Sequence, residues 1–281
     1  MTTPTYKHFN VTYPPEHQYV AHVEINRPEK LNAFFEEMWL ELSSIFNTLS
    51  TSPSVRSIIL SGAGPRAFTA GLDVKAASSP SGLLGPSPLD PARKALHMRR
   101  HILSFQSCIS AIESCEKPVI VVAHGISLGL AIDISVAADI RVCSADVRFA
   151  VKEVDIGLAA DIGTLTRLPK VVGQFGWVKE VALTGREFGA AEAERVGFVN
   201  RVFGSKEEAV AGALELAGLI ARKSPVAVVG TKELLNYSRD HTVEEGLRYT
   251  TVWNSAMVQT KDVQAALLSG IEKRKPTFEK L

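Results

Sequence analysis

The run KPVIVVAHGISLGLAIDISVAADIRVCS, residues 117–144, constrains the fold more tightly than any other stretch. Its first part is an apolar strand without polar alternation, so neither face is left for water. Gly125 and Gly129 break the strand, LAIDISVAA continues as an apolar helix, and IRVCS returns as a second strand. Strands buried on both faces and linked through helices belong to a layered α/β architecture with largely parallel strands.

The rest of the chain fits that reading. Phe9 to Tyr13 and Tyr19 to Ile25 flank Pro14-Pro15 and read as strands joined by a turn. Phe34, Met38, Leu42, Ile45 and Leu49 recur at spacings of three or four and predict an amphipathic helix over 33–49, with SIIL after it as a short buried strand. The loop SGAGPRAFTAGLD comes next, then SSPSGLLGPSP, where Ser, Gly and Pro accumulate and a mobile surface connection over 76–90 is expected. A long helix is expected from Pro91 to Cys115. From Asp161 onward helices dominate, over 161–172, 174–184, 205–222, 224–237, 243–257 and 261–273, with one short strand near FVNRVF.

With 281 residues, 46% of them hydrophobic, the chain can enclose a substantial core, most simply one domain with a helical appendage. Its net charge of +1 removes any bulk electrostatic argument for nucleic acid or an anionic membrane surface, and no apolar run is long enough to span a bilayer. The opening MTTPTYKHFNVTYPPEHQ has neither a signal-peptide core nor an Arg-rich amphipathic pattern, so the mature chain is expected to begin near Met1. Cys108, Cys115 and Cys143 lack metal-ligand spacing and fit buried thiols in a reducing compartment; no metal site is expected. Glu279-Lys280-Leu281 resembles the peroxisomal tripeptide Ser-Lys-Leu with Glu in place of a small residue. Peroxisomal delivery is the expectation, with mitochondrial or cytoplasmic residence as the alternative.

The glycine turn after the central strand leaves the first helical N–H groups pointing beyond the strand's end, where they favour negative charge. A phosphate-binding loop would need Gly-Lys-Ser/Thr, and a dinucleotide site a third glycine and a ribose-binding acid; neither is present. In FTAGLD, Gly71 permits a turn that leaves the Ala70 or Gly71 amide free, and two such converging donors would make an oxyanion hole. Asp73 reads first as a cap for the next helix. His124 has no nucleophilic partner nearby and reads as a packing or hydrogen-bonding residue, while His97 and His101, among Arg99 and Arg100, read as surface residues.

Acids stand in unusual company in VKEVDIGLAADIG, residues 151–163. Asp133, between Ile132 and Ile134, is either a buried acid bonded to backbone amides or a functional group. Asp139 reads as a loop or strand-start residue, and Asp155, with Lys152 beside it, as structural. Asp161 fits a helix N-cap as well as it fits catalysis. Buried acids near one another have raised pKa values, so one can hold a proton while another is ionised, as moving a proton between two carbons requires.

At these residues the sequence resembles the enoyl-CoA hydratase/isomerase (crotonase) family, through RPEKLNAF, AFTAGLD, KPVIVVAHGISLGLAIDISVAADIR and FAVKEVDIGLAADIGTLTRLPK in that order over nearly the whole chain. The resemblance implies a crotonase-like spiral of ββα units over 1–200, carrying an acyl-CoA site, and a C-terminal helical trimerisation region over 201–281, in homotrimers or homohexamers. It implies an acyl-CoA thioester substrate, with CoA part of the substrate and no separate cofactor. The Ala70 and Leu130 amides would hold the thioester oxygen, and Lys30, Gly71, Leu72, Asp73 and Gly129 would contact the substrate. Hydratases of the family hold water between two glutamates. Asp133 here replaces one of them, and a side chain shorter by one methylene should spoil that grip.

The trio Asp133, Glu153 and Asp161 is similar to that of family members that convert 3,5-dienoyl-CoA into 2,4-dienoyl-CoA. The resemblance implies Glu153 at C2 and Asp161 at C6, with the reverse order open, and Asp133 tuning Glu153. The competing readings are an enoyl-CoA hydratase, a 3-enoyl-CoA isomerase, and a non-catalytic acyl-CoA-binding protein.

Overall fold

The computed structural model describes residues 5–77 and 88–281, so most of the expected surface connection lies outside the described residues. A hairpin opens the fold: β1 (Phe9–Thr12) pairs antiparallel with β2 (Val20–Ile25), Phe9 opposite Ile25. A 3₁₀ turn (Pro28–Lys30) leads to α1 (Glu36–Ser50), β3 (Ser57–Gly62), β4 (Ala67–Thr69), the short α2 (Val74–Ala77) and α3 (Pro91–Ser114). Then come β5 (Val119–Ala123), β6 (Ile126–Leu128), α4 (Leu130–Ala137), β7 (Ile140–Ser144) and β8 (Arg148–Ala150). A second 3₁₀ turn (Glu153–Ile156) precedes α5 (Thr164–Val171), α6 (Phe175–Thr184), β9 (Phe188–Gly189), α7 (Ala190–Arg195) and β10 (Arg201–Phe203). The chain closes with α8 (Lys206–Ala221), α9 (Pro225–Asp240), α10 (Val243–Met257) and α11 (Lys261–Ile271).

The strands fall into two sheets, one ordered β1-β2-β3-β5-β7-β10 and one ordered β4-β6-β8-β9. Apart from the antiparallel pairs β1–β2 and β8–β9 the ladders are parallel. From β3 to β8 the chain alternates between them, which makes the spiral of repeated units that the family resemblance implies. Residue parity divides the larger sheet's side chains. Ile58, Leu60, Val119 and Val121 face the main core with Met38, Leu42 and Phe46 of α1, while Ile59, Ile120, Val122 and Val142 face α8. There Ala209, Ala213, Ala217 and Ala221 recur every fourth residue, so a small-residue stripe lets the helix sit close on the sheet.

Several boundaries are corrected. The smaller sheet was not expected, because strands of two or three residues carry no visible period. The helix expected from 33 starts at Glu36, because Leu31 and Asn32 adopt positive φ (52° and 56°) and interrupt the approach. The division at residue 200 falls inside the spiral: β10 completes the larger sheet beside β7, and α8 covers that sheet's second face. The helical appendage therefore begins after Ala221. Its helices α9–α11 expose Leu235, Leu247, Leu267 and Ile271 at 65–80% of their surface. The tail returns to the body, where Arg56, with its guanidinium 4.1 Å from the Tyr19 ring, donates to the carbonyls of Phe278 (2.8 Å) and Glu279 (2.9 Å). Among the described residues no helix is long and apolar enough to cross a membrane.

Candidate active site

A cavity of 390 Å³ opens between α1, α3, the loop after β4 and the turn after β8. Asn32 fixes its first wall. Buried and in the left-handed region, Asn32 donates to the carbonyls of Ala63 and Ala67 (both 2.9 Å) and accepts from the Arg27 amide (2.9 Å), pinning RPEKLNAF to the β3–β4 connection. Phe34 then bridges to Leu72: the Phe34 amide donates to Gly71 O (2.8 Å) and the Asp73 amide to Phe34 O (2.7 Å). Strand parity turns the Leu72 amide the other way, and it has no acceptor among the described residues.

The second wall comes from the smaller sheet. β6 pairs with β8, Leu128 opposite Ala150, and the Gly129 amide donates to Ala150 O (2.9 Å). Gly129 (φ 54°) turns the chain into α4, whose first amide, Leu130, is likewise without an acceptor among the described residues. A side chain at Gly129 would sit 3.4 Å from Glu153 Oε1, and one at Gly71 (φ 92°) would meet Leu128 O at 2.9 Å and Leu130 N at 3.5 Å. Backbone angle favours glycine at both positions, and at Gly71 the close approach of the Leu128 carbonyl requires it as well. The Ala70 assignment is corrected: its amide donates to Leu31 O (2.9 Å), so the available pair is Leu72 and Leu130.

The acids gather on this cavity. Asp133, Glu153 and Asp161 all line it, with Asp133 buried, Glu153 half-buried and Asp161 exposed. Burial, then repulsion from Glu153 and Asp161, lifts the Asp133 carboxyl to about 7, against two hydrogen bonds from Thr164, backbone amide (2.6 Å) and hydroxyl (2.7 Å), that favour its charged form. Glu153 is also raised, first by burial and then by Asp161, and its Oε2 is buried with no hydrogen-bond partner among the described residues. Asp161 is raised by burial, opposed first by a hydrogen bond from its own backbone and then by His101. Asp155 lies off the cavity, held by Lys152 at 2.9 Å.

Other assignments change. Asp161 does not cap α5; Asp133 does so from α4, because its carboxylate reaches the amide of Thr164, the helix's first residue. α5 is braced from behind by Arg167, which donates to Glu113 and Ser110 of α3 (both 2.8 Å). Asp73 lines the cavity, and its carboxylate accepts from Arg27 at 2.9 Å, tying the loop to RPEKLNAF. Gly71, Leu72 and Gly129 line the cavity, whereas Lys30 is exposed on the 3₁₀ turn and is not among the lining residues. His124 is buried and bonded to Gly64 O (2.9 Å), and burial lowers it to about 4. His97 is exposed, but His101 is half-buried and lines the cavity, a correction to its reading as a surface residue.

His101, Thr164 and Gln106, which donates to Asp161 O at 2.5 Å, had no sequence motif to mark them. Only the one-turn spacing of His101 and Phe105, both against Trp39, could have pointed inward. Among the described residues no group of three His, Cys, Asp or Glu side chains is arranged to hold a metal ion.

Two amides without acceptors among the described residues, beside carboxyls raised by burial, suit stabilisation of an enolate. The chain belongs to the enoyl-CoA hydratase/isomerase family, whose pattern matches residues 16–280. It is 44% identical over 280 residues to the mitochondrial Delta(3,5)-Delta(2,4)-dienoyl-CoA isomerase of Pongo abelii, covering 99% of this chain and 84% of that one. It is 43% identical over 281 residues to the peroxisomal Delta(3,5)-Delta(2,4)-dienoyl-CoA isomerase of Arabidopsis thaliana, covering 100% of each. Among solved structures it resembles an enoyl-CoA hydratase from Bacillus anthracis at a TM-score of 0.85 and 26% identity, over 97% of this chain and 99% of that one.

Proposed function

We propose that this chain is an isomerase converting 3,5-dienoyl-CoA thioesters into their 2,4-isomers. The observation that carries the reading is the shared cavity of Asp161 and Glu153, whose buried Oε2 has no hydrogen-bond partner among the described residues. Glu153 takes a proton from C2, and the electron pair spreads over the thioester oxygen, C2, C4 and C6 as a dienolate. Asp161 then delivers a proton to C6, leaving double bonds at C2 and C4. The Leu72 and Leu130 amides hold the oxygen while it is charged. Asp133, whose own carboxyl is raised in part by Glu153, is placed to tune that base. Electrons are conserved within the substrate, so the reaction needs no cofactor beyond the CoA that the substrate carries.

The identity of the dienoyl-CoA isomerase relatives supports this reading over simple hydration. The test is a direct comparison of substrates. Purified protein is expected to generate 2,4-dienoyl absorbance from 3,5-dienoyl-CoA far faster than it adds water to 2-enoyl-CoA; the reverse order would assign it to hydration, and tight binding without turnover to an acyl-CoA carrier.

The same reading extends to assembly and address. The apolar side chains on α9–α11 favour association of copies as homotrimers or homohexamers, and light scattering is expected to give a mass at least three times 30.4 kDa. Its relatives divide between mitochondrion and peroxisome. Glu279-Lys280-Leu281 is proposed as a peroxisomal address, expected to direct a tagged chain to peroxisomes only while Leu281 is present.

A further inference from the structure

The α3 wall of the cavity carries a titratable group that the mechanism above does not use. His101 projects from α3 into the cavity that Asp161 lines. Its ring is fixed: Trp39 of α1 meets it edge-on, with centroids 5.8 Å apart at 79°, and is itself stacked on Phe105 one helical turn further along α3 (3.9 Å, 19°). The same segment of α3 grips the acid's backbone, because Gln106 Nε2 donates to Asp161 O at 2.5 Å. α3 therefore fixes both where Asp161 stands and what charge it faces.

We propose that His101 is a positioning residue for the proton donor: its imidazolium, held at the cavity rim by Trp39, stabilises the carboxylate that Asp161 becomes once its proton has gone to C6. The inference rests on the functional reading above, in which Asp161 is the donor. Glu36 of α1, Asp73, Asp133 and Glu153 supply the other carboxyls on this cavity, and Lys152 is its cation on the turn after β8. Asp73 is paired with Arg27, and Lys152 with Asp155. This leaves His101 as the charge acting against burial at Asp161, which is the direction of its influence there.

Two variants test the idea, His101→Gln, which removes the charge, and His101→Lys, which keeps it. Asp161 is followed directly through the ¹³C shift of its labelled carboxyl, assigned by its disappearance in Asp161→Asn, in the substrate-free oligomer. With Gln the Asp161 titration and the alkaline limb of kcat both move to higher pH and kcat falls about two- to fivefold; with Lys all three return towards wild type. An unmoved titration in His101→Gln, or an equal displacement in Gln and Lys, overturns the proposal and reduces His101 to packing against Trp39. The carboxyl titration needs no substrate. Failure of the isomerase reading would appear instead as wild-type protein that leaves 3,5-dienoyl-CoA unchanged while Asp161 still responds to His101.

Discussion

Glu153→Gln is expected to lower kcat on 3,5-dienoyl-CoA about a thousandfold while KM stays within a few fold. The amide keeps the shape of the side chain but cannot take a proton from C2. Asp161→Asn is expected to cost a similar factor at the other end of the diene, with one separable consequence. With Glu153 intact, C2 still exchanges its hydrogen with heavy water although no 2,4-product forms, whereas Glu153→Gln abolishes exchange and product together. Mass spectrometry of recovered thioester reads both outcomes, and exchange surviving in Glu153→Gln would transfer the C2 role to another acid.

Unfolding would not explain such losses. The Glu153 carboxyl is raised in the folded state, first by burial and then by Asp161, so the folded protein holds this proton more tightly than the unfolded chain does. Its ionisation therefore costs stability progressively as pH rises from the ordinary glutamate range through the raised folded value. Gln removes that cost, and the variant should be at least as stable as wild type in mildly alkaline buffer. In catalysis the same shift places the acid limb of kcat above the ordinary carboxylate value of 4.5, because only ionised Glu153 accepts the proton.

Gly71→Ala is expected to lower kcat by about a hundredfold or more, the scale of losing an oxyanion-hole donor. The new methyl would stand 2.9 Å from Leu128 O, a backbone atom, at a φ of 92° that alanine resists. Relief separates the two loops and draws the Leu72 and Leu130 amides apart. Gly157→Ala is the control: its φ of 82° carries comparable strain, but nothing lies within 4 Å of the added carbon. Both variants should lose about 1–3 kcal/mol of stability in urea titrations, yet only Gly71→Ala should lose turnover. Equal activity in the two would remove the Leu72 amide from the site.

What could be read in advance follows the length of each signal. The apolar runs at β3 and β5 and the four-residue alanine spacing of α8 span enough residues to reveal period and burial, so the layered α/β frame was legible. β4, β6, β8 and β9 were not, since each is defined by partners far along the chain. The acids stood out because carboxylates among apolar residues need a reason. The donor amide was displaced by two residues, from Ala70 to Leu72, because the amide left free depends on the bridge to Phe34, which no local pattern contains. Thr164 and His101 escaped for the same cause: their partners are brought by α4 and α1.

The ladder between β6 and β8 sets both the turn that presents the Leu130 amide and the start of the segment that carries Glu153. A slip of one residue would reverse every side chain along that pairing, so the spacing between oxygen-holder and base cannot be adjusted in small steps. Diversification of chemistry on such a frame must then proceed by changing how far a side chain extends from an immovable anchor, one carbon at a time.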